Sequence, residues 1–466
     1  MECALAQTAT GPQLVVLADP ARQSGFEGEF SDLAGKTLLT GPMTPKNAAA
    51  LRSRFDWLCP ALLGLRTSAG MGDRIGLATP GHVRAIRKTG GKIAPIFAQQ
   101  SMREMTRTGR TPQQVMDEAT WGIFQEGWMG GFGADADHLK NPEDIDACLA
   151  AGFTFFTIDP SSHVDNRAES ASLGELRELT GNLPAELQPR ASGLLDKNFD
   201  VEGLQVTFSE AVLLRAVVKY GRAMAHIASM YHHLMKSAGK HLFELEVSVD
   251  ETDQPTSHAE HLYIAKELLR MGVQWVSLAP RFVGKFEKGV DYIGDLAAFE
   301  TCIAGHAAIS RQLGPYKISL HSGSDKYSIY PAAMRQTHGL VHLKTAGTSY
   351  LEALRTVAVF DSDLLGDIYI FARQHYDADK ASYHVSAELS RAPLPENVKN
   401  WTGLLDQFDA REILHVTFGS VLTGKSASGQ WLFRDRFMSL LRSHPEAYAA
   451  NLEKHFDRHL TPFIQD

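Results

Sequence analysis

Residues 243–250, Phe-Glu-Leu-Glu-Val-Ser-Val-Asp, alternate apolar and polar at every step. Successive side chains of a strand point to opposite faces. Phe243, Leu245, Val247 and Val249 therefore form one face, and Glu244, Glu246, Ser248 and Asp250 the other. Two settings produce that pattern. One is an antiparallel strand with its polar face in water; the other is a barrel strand whose apolar face packs on helices and whose polar face lines the lumen. The flanking sequence decides between them. Strand-like runs at 37–41, 93–98, 129–134, 153–158, 242–249, 274–278, 317–321 and 340–344 alternate with helical patterns at 80–88, 111–125, 142–151, 258–271, 295–313 and 332–338. Eight strands separated by helices predict an α/β fold, a (β/α)8 TIM barrel, with Glu244 and Glu246 pointing inward. A run at 57–65 competes with 37–41 for the first strand.

Two stretches break the rhythm. About eighty residues separate the fourth and fifth predicted strands, far more than a crossover helix requires. They hold an acidic, proline-bearing segment (165–189) and a long amphipathic pattern (209–237). The expectation is a helical insertion at 165–240, either a lid over the site or peripheral packing. The predicted organisation is an N-terminal segment (1–60) packed on a catalytic barrel (61–360), followed by a C-terminal helical extension (361–466). The 466-residue chain is 44% hydrophobic and 21% charged, with a net charge of −8. That is the balance of a soluble globular protein without a polyanion-binding surface. No basic stripe, membrane-length apolar run or signal-peptide pattern occurs, so neither nucleic acid nor membrane is an expected partner. Cys3, Cys59, Cys148 and Cys302 are scattered, with no C-x-x-C pair, as in a cytoplasmic protein with reduced thiols. Homo-oligomerisation stays open.

Barrel active sites lie at the C-terminal ends of the strands, and histidines and carboxylates gather there. Asp137-His138 follows the third strand and sets a proton-transfer carboxylate beside a metal-ligating imidazole. Glu246 joins from the fifth strand. Ser319 and His321 share the inward face of the seventh, and His342 and Lys344 that of the eighth. The expected catalytic carboxylates are Asp137 and Glu246, and the expected metal ligands are His138, His321 and His342. Substrate contacts are expected from Asp159 after the fourth strand, Gln100 after the second and Arg281 after the sixth. Ser322 and Lys326 after the seventh strand, Lys344, and Asp73 in a glycine-rich loop complete that set. Mixed nitrogen and oxygen ligands suit a divalent zinc, manganese, nickel or cobalt ion, and a small sugar or sugar acid is the expected substrate.

Four longer stretches carry a resemblance. Gly-Asp-Arg-Ile-Gly-Leu-Ala-Thr-Pro-Gly-His (72–82), Gly-Ala-Asp-Ala-Asp-His-Leu-Lys (133–140), His-Ser-Gly-Ser-Asp-Lys-Tyr-Ser-Ile-Tyr-Pro (321–331) and His-Leu-Lys-Thr-Ala-Gly-Thr-Ser-Tyr-Leu-Glu-Ala-Leu-Arg (342–355) resemble those of the tagaturonate epimerase family. The resemblance runs on to His-Val-Thr-Phe-Gly-Ser-Val-Leu-Thr at 415–423. It implies an isomerase interconverting tagaturonate and fructuronate, with some members acting on the neutral ketoses tagatose and fructose. A more distant similarity is to class II ketose aldolases, metal-dependent barrels with an adjacent Asp-His and a His-Gly-Gly/Ala-Ser motif. It implies Asp137 as acid/base and His138 as ligand, with His321-Ser-Gly-Ser matching the second motif. Where those aldolases place another histidine on the sixth strand, this chain has Ala279-Pro280-Arg281, leaving His342 and Glu246 as replacement ligands. The implied reaction inverts a carbon whose C–H the ketone does not acidify. Retro-aldol cleavage and re-addition is then the expected route, since the Gly-Met-Gly-Asp-Arg-Ile-Gly stretch (70–76) lacks the dinucleotide-binding spacing. The alternatives are a metal-dependent aldolase that releases its fragments and a non-catalytic sugar-binding barrel.

Overall fold

The computed structural model describes residues 1–8, 11–19, 25–33 and 35–464. Four strands come first: β1 (Glu2–Thr8), β2 (Gly11–Ala18), β3 (Glu29–Leu33) and β4 (Lys36–Gly41), an antiparallel sheet of order β1-β2-β4-β3. The barrel begins with β5 (Ser68–Met71), β6 (Ala94–Ser101), β7 (Gly133–Leu139) and β8 (Phe155–Ile158). A separate hairpin, β9 (Asn198–Val201) and β10 (Leu204–Thr207), interrupts it. The second half is β11 (Glu244–Val249), β12 (Ser277–Pro280), β13 (Lys317–Leu320) and β14 (Val341–Thr345). β14 pairs in parallel with β5, from His342 opposite Ser68 to Thr345 opposite Met71, and closes the eight-stranded ring. The expected (β/α)8 architecture is what the chain adopts.

The first barrel strand is not at 37–41. Those residues form β4 of the N-terminal sheet, with Leu39 buried. β5 reads Ser-Ala-Gly-Met and has no β-branched or aromatic residue to announce a strand; pairing with β6 and β14 defines it. The competing run at 57–65 plugs the barrel base instead. There the Leu63 and Gly64 N–H groups donate to the Glu244 carboxylate at 2.9 and 2.5 Å. The third strand starts at Gly133 rather than 129, because Gly131 turns the chain with φ 76° just before it.

Local signals account for the helices. Thr111 and Ser257 build capping boxes with Gln114 and Glu260 ahead of the helices Pro112–Glu126 and His258–Arg270. Left-handed Gly127 and Gly152 end the helices that precede β7 and β8. The helix Glu210–Ala238 packs between Pro142–Ala151 and His258–Arg270, so it is the barrel's own fourth crossover helix. What is inserted lies ahead of it: the helix Leu173–Gly181, short turns and the β9–β10 hairpin. Buried Lys219 ties this segment down by pairing with Glu169 and, at 3.1 Å, with Glu260. The last helix, Pro445–Leu460, packs against the barrel helices Thr79–Arg87 and Thr348–Phe360. No described helix is long and apolar enough to cross a membrane.

Candidate active site

The barrel interior is charged. Lys344 Nζ lies 2.9 Å from Asp135 Oδ2, 2.6 Å from Asp137 Oδ1 and 2.8 Å from Glu246 Oε1, and donates to Thr157 Oγ1 at 2.6 Å. All four charged groups are buried. Burial opposes each charge, yet the three carboxylates hold the Lys344 ammonium far above its usual range. One cation does not balance three anions. Burial pushes the Asp135 carboxyl up to about 7 against the pull of Lys344. Burial also works against ionised Asp137 and Glu246, but His138 and Lys344 outweigh it at Asp137, and Lys344 and His321 at Glu246. Both carboxylates therefore stay ionised.

Neighbours on a regular strand face opposite ways, so Asp137 and His138 would be expected to part. At His138 the backbone turns to φ 57°, and the β7–β8 register slips between Ala136 and Leu139. This bulge brings both side chains to one cleft. His138 Nδ1 meets Asp137 Oδ1 at 2.7 Å, and its ring centre lies 5.1 Å from that of His321. His321 bridges Glu246 and Asp250, with Nε2 2.7 Å from Glu246 Oε1 and Nδ1 3.1 Å from Asp250 Oδ1. Burial alone would strip its proton; Asp250 and Glu246 prevail and hold it up to about 10. His138, Asp250 and His321 each bring one donor atom within 4.8 Å of the others. Once His321 gives up its Nδ1 proton, two imidazoles and a carboxylate in an anionic pocket match the donor set of a divalent cation. Glu246 behind His321 supplies the carboxylate that orients such a ligand.

Of the residues singled out from sequence, Asp137, His138, His321, Ser322 and Lys344 line the cleft. Glu246 lies beneath it, with Oε2 taken by the Ser277 hydroxyl at 2.6 Å. His342 does not join that cluster. It shares the inward face with Lys344 but sits two residues, about 6.6 Å, deeper along β14. There Nδ1 is 2.9 Å from Ser68 Oγ, the ring packs on Phe155, and burial lowers it to about 3. Gln100 turns outward to donate to Glu104 at 2.8 Å, because a register slip between Ile96 and Ala98 presents Gln99 to the lumen. Asp73 shapes its own loop, accepting from the N–H groups of Ile75, Gly76 and Ala78. Lys326 is a loop staple that donates to the carbonyls of Glu287, Val290 and Ser324. Asp159 is buried near the rim, where it accepts from Ser161 N–H at 2.8 Å and pairs with Lys140 at 3.1 Å. Arg281 is not among the cleft residues.

Lys288, Asp250 and Tyr383 were not among the expected site residues, and all three line the cleft together with Gln99, which with Gln100, Ser101 and Arg103 follows the second predicted strand in reach of sugar hydroxyls. Lys288 donates to Ser322 Oγ at 2.7 Å, and no carboxylate lies within ion-pair distance of it among the described residues. Burial and the nearby Arg103 weaken its hold on a proton. Arg103 itself pairs loosely with Glu251 at 3.6 Å. The buried Gln99 amide has no hydrogen-bond partner on either its nitrogen or its oxygen. Tyr383 comes from the C-terminal extension, whereas the insertion contributes nothing to the cleft lining. Asp250 was in reach: the alternation that turns Glu246 inward continues to it.

Comparison with known proteins agrees. The tagaturonate epimerase family matches residues 3–463. The tagaturonate/fructuronate epimerase of Thermotoga maritima is 46% identical over 421 residues, which cover 89% of this chain and 84% of that protein. The native crystal structure of fructuronate-tagaturonate epimerase from Cohnella laeviribosi superposes with a TM-score of 0.93 at 38% identity, covering 99% of this chain and 93% of that one. The same enzyme with two glycerols gives 0.93 and 38%, covering 99% and 94%. This similarity spans the barrel, the insertion and the C-terminal extension together, and it favours neither the aldolase nor the binding-barrel alternative. The chain belongs to the tagaturonate epimerase family and is an isomerase.

Proposed function

We propose that the protein interconverts tagaturonate and fructuronate by retro-aldol chemistry, with a divalent zinc, manganese, nickel or cobalt ion held by His138, Asp250 and His321. The observation that carries the reading is Lys288, a cleft-facing ammonium without a carboxylate partner beside that donor cluster. A ketohexuronate carries a ketone at one end and a carboxylate at the other. Its two ends call for an electrophile and for a cation, and the cleft supplies residues for both.

When bound, the divalent ion supplies Lewis-acid stabilisation of charge developing at the ketone end. Asp137 faces the cleft beside the donor cluster, and its carboxylate is ionised. It accepts the proton of the hydroxyl on the carbon to be inverted. The adjacent carbon–carbon bond then opens to an aldehyde, which turns its other face before the bond re-forms. Asp137 returns the proton to the new alkoxide. Glu246 has both oxygens engaged and acts by orienting His321 and Lys344. The unpartnered Gln99 amide binds a substrate hydroxyl, and Tyr383 helps keep water out and the fragments in. Tagatose and fructose fit the reacting end but leave Lys288 without its counter-charge, so they are the poorer substrates.

The test uses purified protein and tagaturonate, followed by NMR in deuterated water with and without chelator. Fructuronate should form only with metal present and carry no deuterium at the inverted carbon. Full turnover by the metal-stripped protein, or deuterium at that carbon, would overturn the proposal. Substituting His321→Ala should remove metal and activity together.

A further inference from the structure

Outside the barrel wall a second group of imidazoles meets a thiol. His258 and His261 begin the helix His258–Arg270; Cys302 and His306 lie one turn apart on the facing helix Leu296–Leu313. His258, Cys302 and His306 each bring one donor atom within 4.8 Å of the other two. His306 is fully buried, at 0% exposure, and its Nδ1 lies 2.9 Å from His261 Nδ1. His261 Nε2 in turn lies 2.8 Å from the Tyr316 hydroxyl. His306 Nε2 has no hydrogen bond of ordinary geometry, although the Thr256 carbonyl also faces the ring.

A neutral imidazole carries a single N–H. In the tautomer whose Nδ1–H goes to His261, His306 Nε2 is a bare lone pair. A ligating histidine is commonly held this way, its second nitrogen fixed by a partner. His258 Nε2 donates to the Cys302 carbonyl at 2.9 Å, which leaves its Nδ1 bare as well. The His258 ring rests on Gly305, where a Cβ would come within 2.3 Å of Nε2. The Val283 N–H faces the Cys302 sulfur, as donors do around a bound thiolate.

We propose that His258, Cys302 and His306 form a site for a thiophilic divalent metal of the zinc class, distinct from the active-site cluster. Zinc bonds of about 2.0–2.3 Å need donors roughly 3.5 Å apart, so the three side chains close in by about 1 Å. As the metal–sulfur bond forms, the Cys302 thiol proton passes to solvent. His258 and Cys302 are only partly buried, which leaves a fourth position for water. The bound ion clamps the two helices that flank the segment 281–295, the segment that carries Lys288 to the cleft.

Cobalt(II), titrated into chelator-treated full-length protein, reads this site alone. The cluster of His138, Asp250 and His321 has no sulfur, so a thiolate-to-cobalt charge-transfer band cannot arise there, whatever the fate of the proposed active-site ion. The expected result is a saturable band that is displaced by zinc and is lost in Cys302→Ser with an unchanged far-ultraviolet circular dichroism spectrum. No band in the wild type, or the same band in Cys302→Ser, overturns the proposal. Maleimide labelling of Cys302 in the wild type, read by peptide mass spectrometry, gives a measure independent of any variant. Zinc should slow it at least tenfold; equal rates with and without zinc refute the site.

Discussion

On the proposed function, Lys288 sets how strongly the enzyme prefers a uronate over a neutral ketose, and Lys288→Met tests it. The side chain is half-buried, its recorded hydrogen bond goes to the neutral Ser322 hydroxyl at 2.7 Å, and Arg103 adds positive charge nearby. A substrate carboxylate placed there gains a charge-assisted hydrogen bond of about 1.5–3 kcal/mol. At about 1.4 kcal/mol per factor of ten, its loss lowers kcat/KM for tagaturonate by roughly 10- to 150-fold. Methionine keeps the length of the stem and, lacking a charge, leaves no buried group in need of a counter-ion. For tagatose the same change removes only an unpaired cation, so kcat/KM should move by no more than about threefold. The assay is steady-state turnover of both substrates by wild type and variant at one pH and salt concentration. Equal losses on the two substrates would make Lys288 a structural residue, and no loss on either would place the carboxylate elsewhere.

Lys344→Met strands Asp135, Asp137 and Glu246 without their shared cation, and breaking a buried pair costs about 3–5 kcal/mol; a urea midpoint equal to wild type would show that water already screens the cluster. Asp135→Asn tests the carboxyl that burial raises to about 7. Its folded pKa exceeds the unfolded value near 3.9, so the wild type loses stability as pH rises from about 4 to about 7, and the asparagine variant does not. The melting temperature of the variant relative to wild type should therefore climb from about pH 5 to pH 7 and level off above; a flat difference between pH 5 and 7 would mean that Asp135 is ionised throughout. In Gly70→Ala the new Cβ meets Gln99 Oε1 at 2.2 Å. The displaced amide should lower kcat/KM while the melting temperature changes little, whereas undiminished activity would remove Gln99 from substrate binding.

The strand–helix rhythm was legible because packing on a barrel wall requires a periodic apolar face, and a period is a local property of the chain. The same alternation at 243–250 turned Glu246 inward and, carried one step further, reaches Asp250. Depth was not legible. His342 and Lys344 share a face by periodicity, yet only one of them reaches the cleft, because strand stagger around the ring sets their height. Gln99 and Gln100 exchanged roles through a register slip that leaves no mark in composition. β5 escaped because three small residues and a methionine carry little strand propensity and are ordered by their neighbours. Lys288 and Tyr383 come from segments far apart in sequence that meet over the cleft. By itself, the sequence determined the barrel, the inward carboxylates and the pairing of Asp137 with His138. Only the tertiary structure brought those two neighbours to one cleft through a bulge at φ 57°, set Asp250 beside His138 and His321, and left the Lys288 ammonium in the cleft with no carboxylate in ion-pair distance among the described residues. The reason is physical: facing follows from local periodicity, whereas distance between side chains depends on how separate segments pack.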